Sequence, residues 1–495
     1  MKSVTVCLNH SRGVIAPEIY GHFCEHLGGV FYDGLWVGPD SPIENIHGFR
    51  KALVDSFRKI CPPVLRWPGG CFAETYDWRD GIGPREKRPR RLNWWYNNDG
   101  RVESNQVGTH EFIDLCRLVG AQPYFAANMT SVTPLHIRDW MEYCNMPAHE
   151  TTLADERAQN GDEQPFGVRY WGIGNENWGG GGNMTAEMCA REFMRYATVC
   201  RSVPGQKALV ACGANGHDVA WTREMMRTMH AKGCLPEALS VHYYCGTAGT
   251  PQEFTEAEWY ELLRKADFMR RIVDDHRAAM DEFDPERRVS LFVDEWGCWH
   301  QEGTGPSKGK NLFEQQSNLR DAVVAALTLN LFNNRCDVVG MSNVAQLCNN
   351  LHTLYLASGE HFLETPTYFV YDLFKAHQGA RQLETLVDCG CAGPDDGEAP
   401  LCQVSASASQ AQDGSVTLTL ANLSVTDSAD VRLDALGGAL TGTAEISTLC
   451  AADPHTCNTF ENPHAVRPVR ESRPFASGDT IRLPAASVVS VHIAR

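Results

Sequence analysis

The chain has 495 residues, 43% of them hydrophobic and 21% charged, a globular composition that excludes intrinsic disorder and fibrous repeats. At roughly 150 residues per domain the length suggests about three units, or two where one is a barrel. Lys and Arg total 44 against 61 Asp and Glu, a net charge of −17 that repels a polyanion over most of the surface, so no nucleic-acid partner is expected.

The N-terminal stretch Met1–His10 has no apolar leader, and the longest apolar run, Ala322–Leu329, falls far short of the ~20 residues that span a bilayer. Neither a membrane partner nor export is expected. The 19 cysteines include no C-x-x-C pair and read as reduced thiols of a cytoplasmic protein. Cys389 and Cys391 offer two soft ligands, too few for a zinc site. No metal and no cofactor is expected.

Eight short apolar runs follow one another: Glu18–Phe23, Val64–Trp67, Pro123–Ala127, Arg169–Gly174, Ala208–Gly213, Leu239–Tyr244, Val289–Val293 and Asp337–Val344. Amphipathic stretches separate them, among them His47–Ile60, Thr109–Val119, Thr185–Cys200 and Gln316–Phe332. Eightfold strand–helix alternation predicts an α/β fold, a (β/α)8 TIM barrel over residues 16–378. An open doubly wound sheet would want fewer strands and a phosphate loop after the first, and none is present. Beyond residue 378 the texture changes. Val416–Val425 and Val488–Ile493 alternate apolar with small polar residues, which predicts antiparallel strands with one solvated face and a C-terminal all-β sandwich domain over 379–495.

In such a barrel the chemistry sits where strands end. Polar residues follow seven of the runs: His22 and Glu25, the Trp67–Cys71 turn, Asn128, Asn175 and Glu176, His242 and Tyr244, Asp294 and Glu295, Asn343 and Gln346. Three patterns compete. His22–His26 fits the H-x-x-E-H zinc signature, but that motif needs a helix, and glycines at 21, 28 and 29 disfavour one. Gly179–Gly182 lacks the Lys-Ser or Lys-Thr of a phosphate cradle and reads as a flexible loop. Two strand-end carboxylates flanked by Trp remain, Glu176 in WGIGNENW and Glu295 in LFVDEW. Glycoside hydrolysis requires such a pair: one acid protonates the departing oxygen while the other attacks or stabilises the oxocarbenium-like centre. A single strand-end Glu is more often a salt-bridge partner. Two in matched settings point to catalysis.

At these residues the chain resembles the family 51 glycoside hydrolases, specifically the α-L-arabinofuranosidases. The matching stretches include GHFCEHLG at 21–28, LRWPGGCF at 65–72, WRDGIGPREKRP at 78–89, WGIGNENW at 171–178, VHYY at 241–244 and VDEW at 293–296. The resemblance implies a barrel and a sandwich, with residues 1–15 lending the sandwich a strand. It implies a retaining, exo-acting α-L-arabinofuranosidase. Such an enzyme removes terminal non-reducing arabinofuranosyl residues from arabino-oligosaccharides or arabinoxylan fragments by double displacement. Carried over by position, Glu176 is the acid/base and Glu295 the nucleophile. Asn175 would bind the 2-hydroxyl, while Glu25 and Gln346 would take other sugar hydroxyls. Tyr244 would orient the nucleophile, His242 would sit by the acid/base, and Arg66 would keep Glu295 ionised. Cys71 fills a sugar-contacting position held elsewhere by Asn or Cys. Trp178, with Trp94 and Trp95, is a candidate wall for the next sugar. The resemblance also implies a homo-oligomer, commonly a hexamer. His22 and His26 then read as strand-end neighbours of Glu25, and Arg85–Arg91 as a structural or interfacial loop. Burial should raise the pKa of Glu176, and Arg66 and Tyr244 should lower that of Glu295.

Overall fold

The computed structural model describes residues 2–95, 102–246, 248–394 and 397–494. After an N-terminal strand β1 (Lys2–Cys7), eight parallel strands close a barrel: β2 (Gly21–Phe23), β3 (Val64–Trp67), β4 (Gln122–Ala127), β5 (Tyr170–Ile173), β6 (Ala208–Asn215), β7 (Ala238–Gly246), β8 (Ser290–Trp299) and β9 (Val339–Ala345). The ring shuts where β9 pairs with β2, Asn343 opposite Gly21. All eight overlap the apolar runs of the sequence. The (β/α)8 barrel is therefore present.

The barrel interior is layered. Val64, Tyr124, Tyr170, Val210, Ala238, Phe292 and Met341, one from each of seven strands, pack into an apolar plug. Side chains two residues further along a strand point the same way, so Arg66, Asp294 and the polar residues near them lie directly above this plug. The site thus rests on this packed layer, whose Tyr124 hydroxyl donates to Asp294 at 2.7 Å.

Helical stretches follow their local signals. Thr109–Val119 is helical, with Glu111 reaching back to the Gly108 N–H and Gly120 closing it in the left-handed conformation (φ +81°). Ala186–Cys200 starts after Thr185, whose side chain accepts from the Met188 N–H. The stretch His47–Ile60 is helical only over Lys51–Lys59. Gly48 at φ +101° instead turns Asn45–Ile46 back onto Phe49–Arg50 as a small hairpin.

The C-terminal strands are β10 (Arg381–Asp388), β11 (Val404–Gln410), β12 (Val416–Asn422), β13 (Ala429–Leu436), β14 (Thr441–Leu449), β15 (Val469–Ala476), β16 (Thr480–Leu483) and β17 (Ser487–Ala494). They hydrogen-bond in the order β15-β14-β17-β12-β11-β10-β1-β13-β16. β10 pairs with β11 at its start and with β1 at its end, so it passes from one leaf to the other. Val4, Val6, Val431 and Leu433 from one leaf share a core with Leu418, Leu420, Ile446 and Val491 from the other. Facing leaves with a common core make a sandwich.

Two expectations need correcting here. β12 has no solvated face: it is buried along its whole length. Its Thr419 donates to Asn330 Oδ1 at 2.7 Å, and Asn330 belongs to the barrel helix Leu319–Asn334. That helix is buried at every position but the last, so it is not amphipathic. Barrel on one side and sandwich on the other cover both of its faces. The alternating Ser and Thr of the sandwich meet its Asn side chains rather than water.

Candidate active site

Glu295 and Asp294 are adjacent on β8, yet both reach into the barrel mouth. Successive residues of a regular strand point to opposite sides. The β7–β8 pairing shifts register between Ser240 and His242, and the β8–β9 pairing between Val293 and Trp296. Such an irregularity re-aims side chains, and it brings Glu295 opposite His242. Arg66 from β3 donates to Glu295 Oε1 at 2.6 Å and to Asn175 Oδ1 at 2.6 Å. Its Nε lies 3.8 Å from Asp294 Oδ2. The Tyr244 hydroxyl donates to Glu295 Oε2 at 2.9 Å.

Glu176 follows β5 in the left-handed conformation, φ +44°. Its Oε1 lies 2.9 Å from His242 Nδ1, and Cys71 Sγ donates to its Oε2 at 3.6 Å. His242 Nδ1 is also 3.4 Å from Glu295 Oε2, and its Nε2 is 3.1 Å from Asp294 Oδ1. One oxygen each of Glu176 and Glu295, with a His242 nitrogen, lie within 4.8 Å of one another. Glu25 accepts from the Phe72 N–H, from Trp95 Nε1 (both 3.0 Å) and from Gln346 Nε2 (3.2 Å). Gln346 in turn accepts the Glu25 N–H at 3.0 Å.

The electrostatics follow from four buried or half-buried carboxylates around two cations. Burial opposes charge on His242, but Glu295, Asp294 and Glu176 outweigh it and hold the imidazole protonated well above its ordinary range. Burial likewise opposes ionisation of Asp294, yet Arg66 and His242 keep its pKa low. Glu25 is raised to about 7, chiefly by burial and then by the charge of Glu295. Glu295 departs from expectation. Burial and the neighbouring Glu176 outweigh Arg66 and His242, so its pKa is raised rather than lowered. Tyr244 stays protonated through burial and the adjacent carboxylate, which keeps its hydroxyl a donor.

The sequence profile of the alpha-L-arabinofuranosidase 1 domain matches residues 56–257, and that of the alpha-L-arabinofuranosidase C-terminal domain matches residues 294–487. An intracellular exo-alpha-L-arabinofuranosidase of Bacteroides ovatus is 36% identical over 99% of this chain and 96% of its own. The family 51 arabinofuranosidase of Xanthomonas axonopodis pv. citri superposes with a TM-score of 0.93 at 38% identity, covering all of both chains. The chain belongs to the family 51 α-L-arabinofuranosidases. The alpha-L-arabinofuranosidase of Thermotoga maritima, solved with arabinose, superposes with a TM-score of 0.88 at 28% identity, again over both whole chains.

Within this glycoside hydrolase the remaining candidates divide. Trp95 bonds Glu25 and touches Phe313 edge-on, and Phe313 meets Trp299, which meets Tyr244. Trp299 and Phe313, unremarked in the sequence, thus link Trp95 to Tyr244 in an aromatic rim. Trp178 is half-buried and packs against the barrel core. The H-x-x-E-H residues diverge: His22 packs against Phe57 and Tyr371, while His26 stacks on Phe31 and lies 3.0 Å from Glu103. Arg85 and Arg88 clamp Glu111, and Arg91 pairs with Asp80, so these loop cations are tied up within the chain.

The glycine run is not a loose loop. A Cβ at Gly181 would stand 2.0 Å from the Asn175 carbonyl oxygen, and one at Gly180 would stand 2.7 Å from Cys71 Sγ. Only glycine allows this close approach. Glu74 was also unforeseen, although a carboxylate inside the apolar segment Cys71–Tyr76 is an anomaly that the sequence displays. It is fully buried, accepting the Asn175 N–H (2.6 Å), Asn177 Nδ2 (3.0 Å) and the Met129 and Thr130 N–H groups (2.8 and 2.9 Å).

Proposed function

We propose that this enzyme is a retaining, exo-acting arabinofuranosidase that removes terminal non-reducing α-L-arabinofuranosyl residues from arabino-oligosaccharides or arabinoxylan fragments. The retaining part of the reading is carried by the convergence of Glu176 and Glu295 on one His242 nitrogen, at 2.9 and 3.4 Å. Retaining glycosidases hold their carboxyls ~5–5.5 Å apart, whereas inverting enzymes need room for a water between them.

In the first step Glu295 attacks the anomeric carbon while Glu176 gives its proton to the departing oxygen. Arg66 and Tyr244 fix both oxygens of Glu295, leaving its orientation little freedom. In the second step Glu176 takes a proton from a water whose oxygen bonds to the anomeric carbon, breaking the bond to Glu295 and releasing arabinose. Asn175, held by Arg66, is suited to the 2-hydroxyl, where contacts strengthen in the transition state. Glu25 and Gln346 support each other as acceptor and donor for other hydroxyls, and Cys71 lines the same wall. The His242 imidazolium stabilises whichever of the two glutamates is charged.

The barrel, residues 16–378, is the catalytic unit of this reading, and residues 1–15 join 379–495 in the sandwich. The relative from Bacteroides ovatus is named intracellular. Among the described residues no helix is long and apolar enough to cross a membrane. A cytoplasmic enzyme working on imported oligosaccharides is in keeping with that relative, and membership of the family is the ground for proposing a homo-oligomer. The test is release of para-nitrophenol from the α-L-arabinofuranoside, beside the β-D-xyloside and β-D-glucoside. Wild type should cleave the arabinofuranoside, and Glu176→Ala and Glu295→Ala should lose most of that activity. Preference for the xyloside or glucoside would overturn the substrate.

A further inference from the structure

Glu74 touches neither Glu176 nor Glu295, and it is a costly residue to bury. A carboxylate accepts four or so hydrogen bonds and donates none. Here the Asn175 N–H and the Asn177 side chain converge on Oε1, and the Met129 and Thr130 N–H groups on Oε2. The first pair flanks Glu176 in sequence; the second begins the turn after β4. Asn177 also donates to the Gly181 carbonyl at 2.7 Å, and Thr130 Oγ1 donates to the same oxygen at 2.8 Å. The glycine segment is therefore tied to the same anchor.

Glu176 itself sits at φ +44°. A non-glycine residue there costs of order 1 kcal/mol and persists only where its surroundings over-determine it. We infer that Glu74 is the positioning residue for the acid/base: by gripping Asn175 and Asn177 together it holds the strained Glu176 backbone between them. This rests on the reading of Glu176 as the acid/base.

Gln at 74 is isosteric but wrong in character. Its single oxygen can serve one pair of donors, and its NH2 group must face the other pair. Glu74→Gln should therefore let Glu176 drift while Arg66 and Tyr244 still hold Glu295. Leaving-group dependence separates these effects. A phenyl arabinofuranoside needs protonation to depart; a dinitrophenyl one does not. We expect kcat/KM for the phenyl substrate to fall about 10²-fold in Glu74→Gln, the lower end of what general acid catalysis contributes. For the dinitrophenyl substrate the fall should stay within about threefold. Equal losses on both substrates, or no loss on either, would overturn the inference. If Glu74→Gln does not fold, Asn177→Ala decides, because it removes one of the four bonds and leaves the carboxylate in place. It should show the same inequality at smaller size, and equal losses on both substrates would again overturn the role. Glu176→Ala serves as the reference. If its losses on the two substrates are equal, the acid/base assignment has failed rather than the inference about Glu74.

Discussion

Arg66 and Glu295 form the central ion pair of the site, at 2.6 Å, with both side chains nearly inaccessible to solvent. The same guanidinium reaches Asn175 and stands near Asp294, so one cation organises an amide and two acids.

Removing that cation should be severe. Breaking a buried pair costs about 3–5 kcal/mol, because the remaining charge is left uncompensated. Arg66→Ala should lower kcat/KM by at least about 10²-fold and depress the melting temperature, read by para-nitrophenol release and calorimetry. Arg66→Lys should recover only part of the activity, since one ammonium cannot form the two-pronged contact to Glu295 and Asn175. Full activity in the lysine variant would mean that charge alone matters.

Glu25 provides a pH-dependent test. Its pKa in the folded chain is about 7 against an ordinary 4.5, so between these values the native state holds a proton that the unfolded chain has released. Stability then falls as pH rises through this window. Glu25→Gln removes that liability, and its melting temperature relative to wild type should rise from pH 4.5 to pH 7. Activity should drop, because the charge and hydroxyl-accepting capacity are lost. A difference in melting temperature that stays constant across the window would contradict the assignment.

His242 shifts in the same direction for the opposite reason, its charge being stabilised by its neighbours where that of Glu25 is penalised. Its folded pKa lies well above 6.5, so the stability it contributes is fully present below the ordinary histidine value and is lost as pH rises through the folded one. Asp294→Asn removes one of its counter-charges and should bring the alkaline loss of stability to lower pH. Thermal melts between pH 6 and 10 read this directly, and superimposable alkaline limbs would contradict it.

How much of this was legible in the sequence depends on whether the cause was local. The eight strands were, because each is a short apolar run and seven of them lead into polar residues. So were Glu176, Glu295, Arg66, His242 and Tyr244, which stand at strand ends and converge through barrel geometry. The hairpin within 47–60 was hidden because an amphipathic pattern outweighed Gly48. The two-sided burial of β12 was hidden because Thr and Ser read as solvated until the barrel helix with Asn330 lies against them. The upward shift of Glu295 was illegible for a related reason. It depends on the sum of burial, Arg66, His242 and Glu176, and sequence shows partners but not which wins.

The glycine segment supplies a steric prediction. Gly181→Ala places a methyl group 2.0 Å from the Asn175 carbonyl oxygen, so the segment or Asn175 must move. Displacement by about 1 Å near a reacting group can cost ~10²-fold in rate. Activity on para-nitrophenyl arabinofuranoside should fall by one to two orders of magnitude, while far-ultraviolet circular dichroism remains that of wild type. Unchanged activity would show that this loop can shift without disturbing catalysis.

Double displacement by Glu295 with Glu176 as acid/base is tested most directly by the configuration of a transfer product. With methanol present, wild-type turnover of para-nitrophenyl α-L-arabinofuranoside should yield methyl α-L-arabinofuranoside, identified by the proton NMR of its anomeric signal. Transfer should vanish in Glu295→Ala. Formation of the β-methyl glycoside, or undiminished transfer without Glu295, would contradict the account.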